Sequence, residues 1–343
     1  MVMLSQSYPT KYWHKLENDR VQCDLCPQFC KLNEGQRGIC YVRVRQNDQI
    51  VLTAYGRSSG FCVDPIEKKP LNHFLSGSAV YSFGTVGCNL LCKFCQNWDI
   101  SKVREDDGLA AIATPQNIAK IAKKQQCQSV AFTYNEPIIF MEYAIDVAKE
   151  CHKLGIKTVA VTNGYICDEP RKEFFSHMDA VRVDLKSFTD KFYKNITSSR
   201  LQPVLDTLVY LKKHTNIWFE VICLLISGEN DSVAEIEELT KWLVENLGVD
   251  VPVHFTAFYP AWKMLDKPVT PLEILIRARD IAMKNGMRYA YTGNVYHPEG
   301  SKTFCHNCKK CVIVRASYTI EEYHLNDTGN CKFCGAECAG VFI

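Results

Sequence analysis

Ala79-Val80-Tyr81-Ser82-Phe83-Gly84 runs into Thr85-Val86-Gly87-Cys88-Asn89-Leu90-Leu91-Cys92-Lys93-Phe94-Cys95-Gln96-Asn97. The first six residues read as a short strand, and the loop it delivers carries three cysteines spaced C-x3-C-x2-C. Thiolates this close in sequence suit the corners of one iron–sulfur cluster, because sulfur is the soft ligand such clusters use. A four-iron cluster is commonly caged by four cysteines, and no fourth follows at the expected interval. Three ligands leave one iron open to bind a further molecule. The competing reading is a structural zinc knuckle. Such knuckles need four ligands in C-x2-C pairs, which the x3 gap fits poorly.

Downstream, apolar strand patterns alternate with amphipathic helical ones. Strands are predicted at 129–133, 157–162, 180–185, 217–226, 251–258 and 288–292, and helices at 115–126, 138–154, 169–177, 203–214, 232–247 and 271–285. Thr114 reads as an N-cap ahead of Pro115 at the first helical position, and Gly155 and Gly286 as helix stops. Alternation at this interval argues for an α/β fold, a parallel sheet with helices outside. The expected architecture is a partial (β/α)6 TIM-like barrel over residues 76–297. A Cys-rich N-terminal extension (1–75) and a C-terminal metal module (298–343) flank it.

In a barrel the strand carboxyl ends line the mouth where active sites lie. Polar segments fall there: Tyr134-Asn135-Glu136-Pro137, Thr162-Asn163-Gly164, Asp184-Leu185-Lys186 and Ser227-Gly228-Glu229-Asn230-Asp231. Each also has an ordinary explanation. Glu136 could be a first-turn carboxylate favoured by a helix dipole, Asn163-Gly164 a turn, and Asp184/Lys186 a strand-end ion pair. His254 lies on a strand, where a core histidine is the commoner fact. His73, in the charged Pro-bounded stretch 64–74 that reads as a linker, could be a ligand or substrate contact, though a packed or solvated histidine is the more ordinary expectation. Tyr259 and Trp262 could line a substrate entrance or cap the barrel.

The bulk composition bounds the function. Of 343 residues 47% are apolar, enough for a sizeable core. Lysine and arginine number 40 against 38 aspartates and glutamates, for a net charge of +2. That balance gives no reason to expect nucleic acid or an anionic membrane as partner. No apolar run approaches the ~18 residues of a membrane span, and residues 1–20 lack an apolar signal core, so a cytoplasmic protein is expected. The 18 cysteines are mostly clustered, and without an export signal clustered cysteines read as metal ligands rather than disulfides.

Two clusters flank the barrel. Cys23, Cys26, Cys30 and Cys40 follow C-x2-C-x3-C-x9-C, suited to a zinc ion or an auxiliary iron–sulfur cluster. Cys305-x2-Cys308 pairs with Cys331-x2-Cys334, the mark of a zinc-ribbon or rubredoxin-like module holding zinc or iron. Cys311 and Cys338 lie close enough in sequence to compete as ligands. The scattered Cys62, Cys127, Cys151, Cys167 and Cys223 are expected to be buried, inert thiols.

The stretch around Cys88, Cys92 and Cys95 resembles the signature of the radical S-adenosylmethionine (SAM) enzymes. Phe94-Cys95-Gln96-Asn97-Trp98-Asp99 resembles the activating enzymes of glycyl radical enzymes. Nearly the whole chain is similar to the radical SAM subfamily named for the three-protein AmmeMemoRadiSam system. The resemblance implies a [4Fe-4S] cluster on Cys88, Cys92 and Cys95, with SAM chelating the open iron. It places SAM contacts at Asn97, Asn135, Glu136, Thr162, Asn163, Asp184, Lys186 and His254, with Phe94 beside the adenine. Asn135 stands where the family has the second glycine of Gly-Gly-Glu-Pro, and Ser227 where proline is usual. The resemblance further implies a reduced electron carrier such as flavodoxin or ferredoxin, and hydrogen abstraction from a substrate, a glycyl radical enzyme or another protein. Radical modification of a small molecule is the alternative enzyme reading, and a non-catalytic metal-binding or redox-relay protein the alternative class.

Overall fold

The computed structural model describes residues 7–17, 19–102, 104 and 111–342. At its centre is one eight-stranded sheet. Its strands are β1 (Gly60–Pro65), β2 (Ala79–Gly84), β3 (Ser129–Phe132), β4 (Lys157–Thr162), β5 (Ala180–Asp184), β6 (Trp218–Leu225), β7 (Val253–Ala257) and β8 (Ala290–Gly293). They lie side by side in chain order. β2 to β8 are parallel, and β1 joins the edge antiparallel to β2. Among the described residues β1 and β8 are the two edges, so the sheet is open.

Among the described residues six helices of eight residues or more connect the parallel strands: α1 (Pro115–Lys124), α2 (Met141–Lys153), α3 (Asp168–Phe175), α4 (Gln202–His214), α5 (Val233–Leu247) and α6 (Leu272–Lys284). Sheets covered on their faces lose the polar alternation of half-exposed strands. All four residues of β3 and all five of β7 are buried accordingly. α1 starts where its sequence says it must: the Thr114 side chain accepts from the Asn117 amide, and Pro115 follows. Thr114→Ala should cost about 1 kcal/mol of stability, read as a shifted denaturant midpoint. An unchanged midpoint would mean that the cap contributes nothing.

Two local expectations are corrected. The helix expected from Ile138 begins one turn later, because Pro137–Phe140 is a 3-10 turn ahead of α2. Glu136 caps that turn, its carboxylate accepting from the Ile138 amide. The charged stretch after Asp64 is no solvated linker. Asp64, Glu67, Lys69, Asn72 and His73 are all buried, with Lys69 and Lys68 paired to Asp64. Charge composition alone cannot reveal such internal pairing. β1 was also not anticipated, since its six residues show no clear apolar alternation.

Among the described residues two three-stranded antiparallel sheets lie in the N-terminal segment, and Arg57–Ser58 of that segment pairs antiparallel with Ala111–Ile112. At the other end Thr303–Phe304, Cys311–Ala316 and Thr319–Tyr323 form a further three-stranded sheet. This C-terminal module docks on the main body through Arg315. Its buried guanidinium donates to Asn72 O at 2.7 Å and Thr303 Oγ1 at 2.7 Å. Val341 also bridges to Phe74, and His73 is packed as expected, its ring between Ala339 O and the Tyr291 hydroxyl. Among the described residues no helix is long and apolar enough to cross a membrane.

Candidate metal and cofactor site

The three-cysteine loop leaves the carboxyl end of β2. Its close packing requires glycine at Gly87, which has φ +85° and where a Cβ would fall 2.0 Å from Cys40 O. The amides of Leu91 and Lys93 donate to Thr197 O and Ile196 O, and Gln28 Nε2 donates to Asn89 O at 2.9 Å. Cys92 is buried and Cys88 and Cys95 half-buried. Burial pushes the Cys88 thiol up to about 12, so a soft cation that displaces the proton would convert it to thiolate.

All three cysteines open onto one cavity of about 1240 Å³ at the strand carboxyl ends. Asn97, Asn135, Glu136, Asn163, Asp184, Lys186 and His254 line the same cavity. Thr162 does not. It stands behind Glu136, donating its hydroxyl to Glu136 Oε1 at 2.6 Å. Glu136 Oε2 accepts from the Asn163 amide at 2.7 Å. Burial raises the Glu136 carboxyl to about 7, against the pull of these donors. Asn97 Nδ2 is held by Tyr134 O at 2.7 Å.

Asn135 explains its own departure from glycine. Its Oδ1 accepts from the Thr85 amide, and its Nδ2 donates to Thr85 Oγ1 and Gly87 O, each at 3.0 Å. The side chain braces the cysteine loop. Asn163 does similar work, donating to Asn89 Oδ1 at 2.8 Å. Asn89 was missed from sequence, because its place inside the motif hides a structural role.

Alternation along β5 aims Arg182 and Asp184 to one side, with Lys186 just beyond. Asp184 pairs with Lys186 Nζ at 2.8 Å and with the Arg182 guanidinium at 2.5 Å. Burial would raise Asp184, but the two cations outweigh it and hold the carboxyl below its usual range. Burial also works against charge on Lys186, yet Asp184 and Cys92 carry its pKa above the ordinary value. Asn230 fixes this strand end by donating to Lys186 O at 2.7 Å. Arg182 was also missed; the period of two around Asp184 was the available signal.

His254 Nε2 meets Glu220 Oε2 at 2.7 Å, and its ring stacks on Tyr291. Glu220 is fully buried and also accepts from the amides of Asn72 and His73. Burial raises this carboxyl too, but His254 outweighs it and the net shift is downward. Glu220 was invisible in sequence, a lone acid in an apolar strand. Tyr259 lines the cavity, whereas Trp262 lies outside it beside Lys102 and Lys263.

In the C-terminal module the sulfurs of Cys305, Cys308, Cys331 and Cys334 all lie within 4.8 Å of one another. Cys305–Cys334 and Cys308–Cys331 are separated by 3.6 and 3.7 Å. Four thiolates at ~2.3 Å around one tetrahedral ion would be about 3.8 Å apart, so this set fits a single zinc or iron ion. The Ala336 amide and Asn307 help bring the Cys334 thiol down to about 6. Cys311 Sγ instead faces Ile313 O, and Cys338 lies by Tyr289. Of the scattered cysteines Cys127, Cys151 and Cys223 are buried; Cys62 is exposed and Cys167 half-buried.

A family model described as the radical SAM superfamily matches residues 83–243. "Uncharacterized protein MJ0808" of Methanocaldococcus jannaschii is 37% identical over 94% of this chain and 96% of its own length. The chain belongs to the radical SAM superfamily. Pyruvate formate-lyase 1-activating enzyme of Escherichia coli is more distant, 26% identical over 45% of this chain and 65% of that enzyme. The solved structure of a radical SAM methyltransferase from Sphaerobacter thermophilus has a TM-score of 0.51 at 13% identity, covering 84% of this chain and 77% of that one, a likeness of fold alone. Membership in the superfamily implies a [4Fe-4S] cluster and SAM, and the three cysteines facing a polar cavity fit both.

Proposed function

We propose that the chain is an enzyme that cleaves SAM reductively and abstracts hydrogen from a substrate. The observation that carries this reading is the shared cavity. Three cysteines without a fourth partner open onto the same space as Glu136, Asp184 and Lys186. The cluster and SAM, when bound, supply a 5′-deoxyadenosyl radical; the protein orients the reactants and excludes water. In this reading Cys88, Cys92 and Cys95 hold three irons. Glu136, held by the Asn163 amide and sharing the cavity with Asn97, accepts from the SAM ammonium. Lys186, with Asp184 setting its position, receives the carboxylate. His254, its Nε2 taken by Glu220, faces SAM from β7, and Phe94 packs near the adenine. Thr162 acts through Glu136. A partial barrel around the cavity belongs to this reading; it is supported by the lining, to which strands β4 to β8 all contribute. Residues 76–297 form the core unit between the two metal-binding modules.

The proposed substrate is a protein glycine or other side chain, supported by distant likeness to activating enzymes. A small molecule is the second reading. It is favoured by the cavity's lining, to which Val314, Arg315 and Tyr318 of the C-terminal module contribute. A flavodoxin or ferredoxin in the cytoplasm would supply the electron. The decisive assay reconstitutes the chain anaerobically, reduces it and measures 5′-deoxyadenosine with each class of candidate substrate. Cluster formation and SAM binding without product under every substrate tried would count against the reading.

The raised Glu136 carboxyl gives a pH signature. Glu136 is largely neutral below about 7 and ionised above it. A cationic ammonium prefers the ionised form, so SAM affinity should rise several-fold between about pH 6 and about pH 8. Glu136→Gln should flatten that rise. The stability linkage runs the other way: the contribution of this raised carboxyl is present at low pH and is lost as pH climbs through about 7. Titration calorimetry on the anaerobic protein separates the two, and a pH-independent SAM affinity would remove Glu136 from the ammonium site.

A further inference from the structure

The N-terminal cysteines differ from the C-terminal set in a way that decides what they hold. Among the described residues the C-terminal sulfurs are the only group of three or more metal-type ligands within 4.8 Å of one another. No three of Cys23, Cys26, Cys30 and Cys40 are that close, and neither are Cys88, Cys92 and Cys95. The N-terminal four nevertheless face one another. Cys30 and Cys40 sulfurs lie 3.6 and 3.7 Å from the same point, the place of a Cβ on Gly38. Cys23 and Cys26 are close enough to feel both charges. A convergent set too wide for one ion suits a multi-iron cluster, in which each thiolate binds a different iron.

The surroundings agree. The amides of Leu25, Gln28 and Val42, each two residues beyond a cysteine, act on the sulfurs of Cys23, Cys26 and Cys40. The Ile39 amide donates to Cys30 Sγ at 3.5 Å. The Leu90 amide makes the same contact to Cys88 Sγ at 3.5 Å. Such amide donors stabilise cluster-bound sulfur. Cys23, Cys26 and Cys40 sit in the apolar core, and the buried Arg43 guanidinium beside Cys23 and Cys40 offsets negative charge.

Position supplies the role. Cys40 O packs on Gly87, next to Cys88, and Gln28 bridges to Asn89 O and Ser198 O. Phe29 is exposed and Cys30 half-buried, so the cysteine set reaches the surface. We propose that Cys23, Cys26, Cys30 and Cys40 hold a second iron–sulfur cluster of several irons that relays single electrons from a protein carrier to the cluster on Cys88, Cys92 and Cys95. One electron from a flavin- or iron–sulfur-containing carrier reduces the N-terminal cluster by one unit. The same electron then passes to the neighbouring cluster and restores the first. No bond forms or breaks and no proton moves in the relay. The relay role rests on the proposed SAM cleavage; the cluster content does not.

Acid-labile sulfide reads the content directly, because a single-ion site in the C-terminal module contains none. The full chain carrying Cys88→Ala, Cys92→Ala and Cys95→Ala, reconstituted anaerobically with iron and sulfide, should retain about four sulfides. Absence of sulfide in that folded variant overturns the cluster. If the variant does not fold, the unaltered chain decides: about eight sulfides are expected, and about four overturn it. For the relay, 5′-deoxyadenosine formation in Cys26→Ala is compared with flavodoxin and with dithionite as reductant. The ratio of carrier-driven to dithionite-driven rates should fall about tenfold or more, and an unchanged ratio overturns the relay. Sulfide in the triple variant together with no 5′-deoxyadenosine from the unaltered chain would defeat the proposed activity and leave the second cluster standing.

Discussion

The Cys92→Ala variant is expected to lose 5′-deoxyadenosine formation by on the order of a thousandfold or more, with the fold intact. The size follows from the site's construction. Cys92 is the most buried of the three cysteines, and its sulfur feels the charges of Lys186 and Lys102. With no fourth cysteine in the loop to substitute, losing one of three ligands leaves the cluster held at two corners. The polar residues of the cavity would survive, so the variant should still fold with normal circular dichroism and melt close to the unaltered chain. Anaerobic reconstitution followed by chromatography with mass detection measures the effect. Normal SAM cleavage in Cys92→Ala would refute the ligand assignment and return the loop to a structural role.

The second large effect is on stability. Cys331→Ser should empty the C-terminal ion site and disorder its small sheet, because a module of this size has little core of its own. Its buried cluster consists mainly of Val312, Ile313 and Leu325 around the cysteines, packed on Tyr289 and Tyr291 of the main body. A structural ion in such a module typically supplies ~10–16 kcal/mol of apparent binding energy, far more than so few apolar residues can replace. Hydrogen exchange over residues 303–338 should accelerate by several orders of magnitude, while α1 to α5 exchange as before. The loss should also reach the cavity, since Arg315 and Tyr318 form part of its lining. Unchanged protection in the metal-free variant would show that packing against Phe74 and His73 alone holds the module.

The sequence was most legible where one local rule governs. The strand and helix order could be read because each parallel strand is buried on both faces and each helix carries one apolar side. Thr114 and Pro115 announced a helix start because a cap needs only its own first turn. The cysteine spacings located every candidate ligand, and the polar residues after successive strands were legible because a parallel sheet gathers its carboxyl ends on one side.

What stayed illegible depends on partners distant in the chain. Whether Cys311 or Cys308 faces Cys331 is decided by the register of a small sheet, and sequence spacing carries no register. Asn135 gave no hint that it braces Thr85 and Gly87, fifty and forty-eight positions earlier. Glu220, His254, Tyr291 and His73 are ordinary residues until β6, β7, β8 and the stretch after β1 bring them together. By itself the sequence pointed to thiolate ligation of metal, because thiolate number and spacing are local. Only the tertiary structure decided which thiolates crowd together and which stand apart, because that separation is set by how distant segments pack.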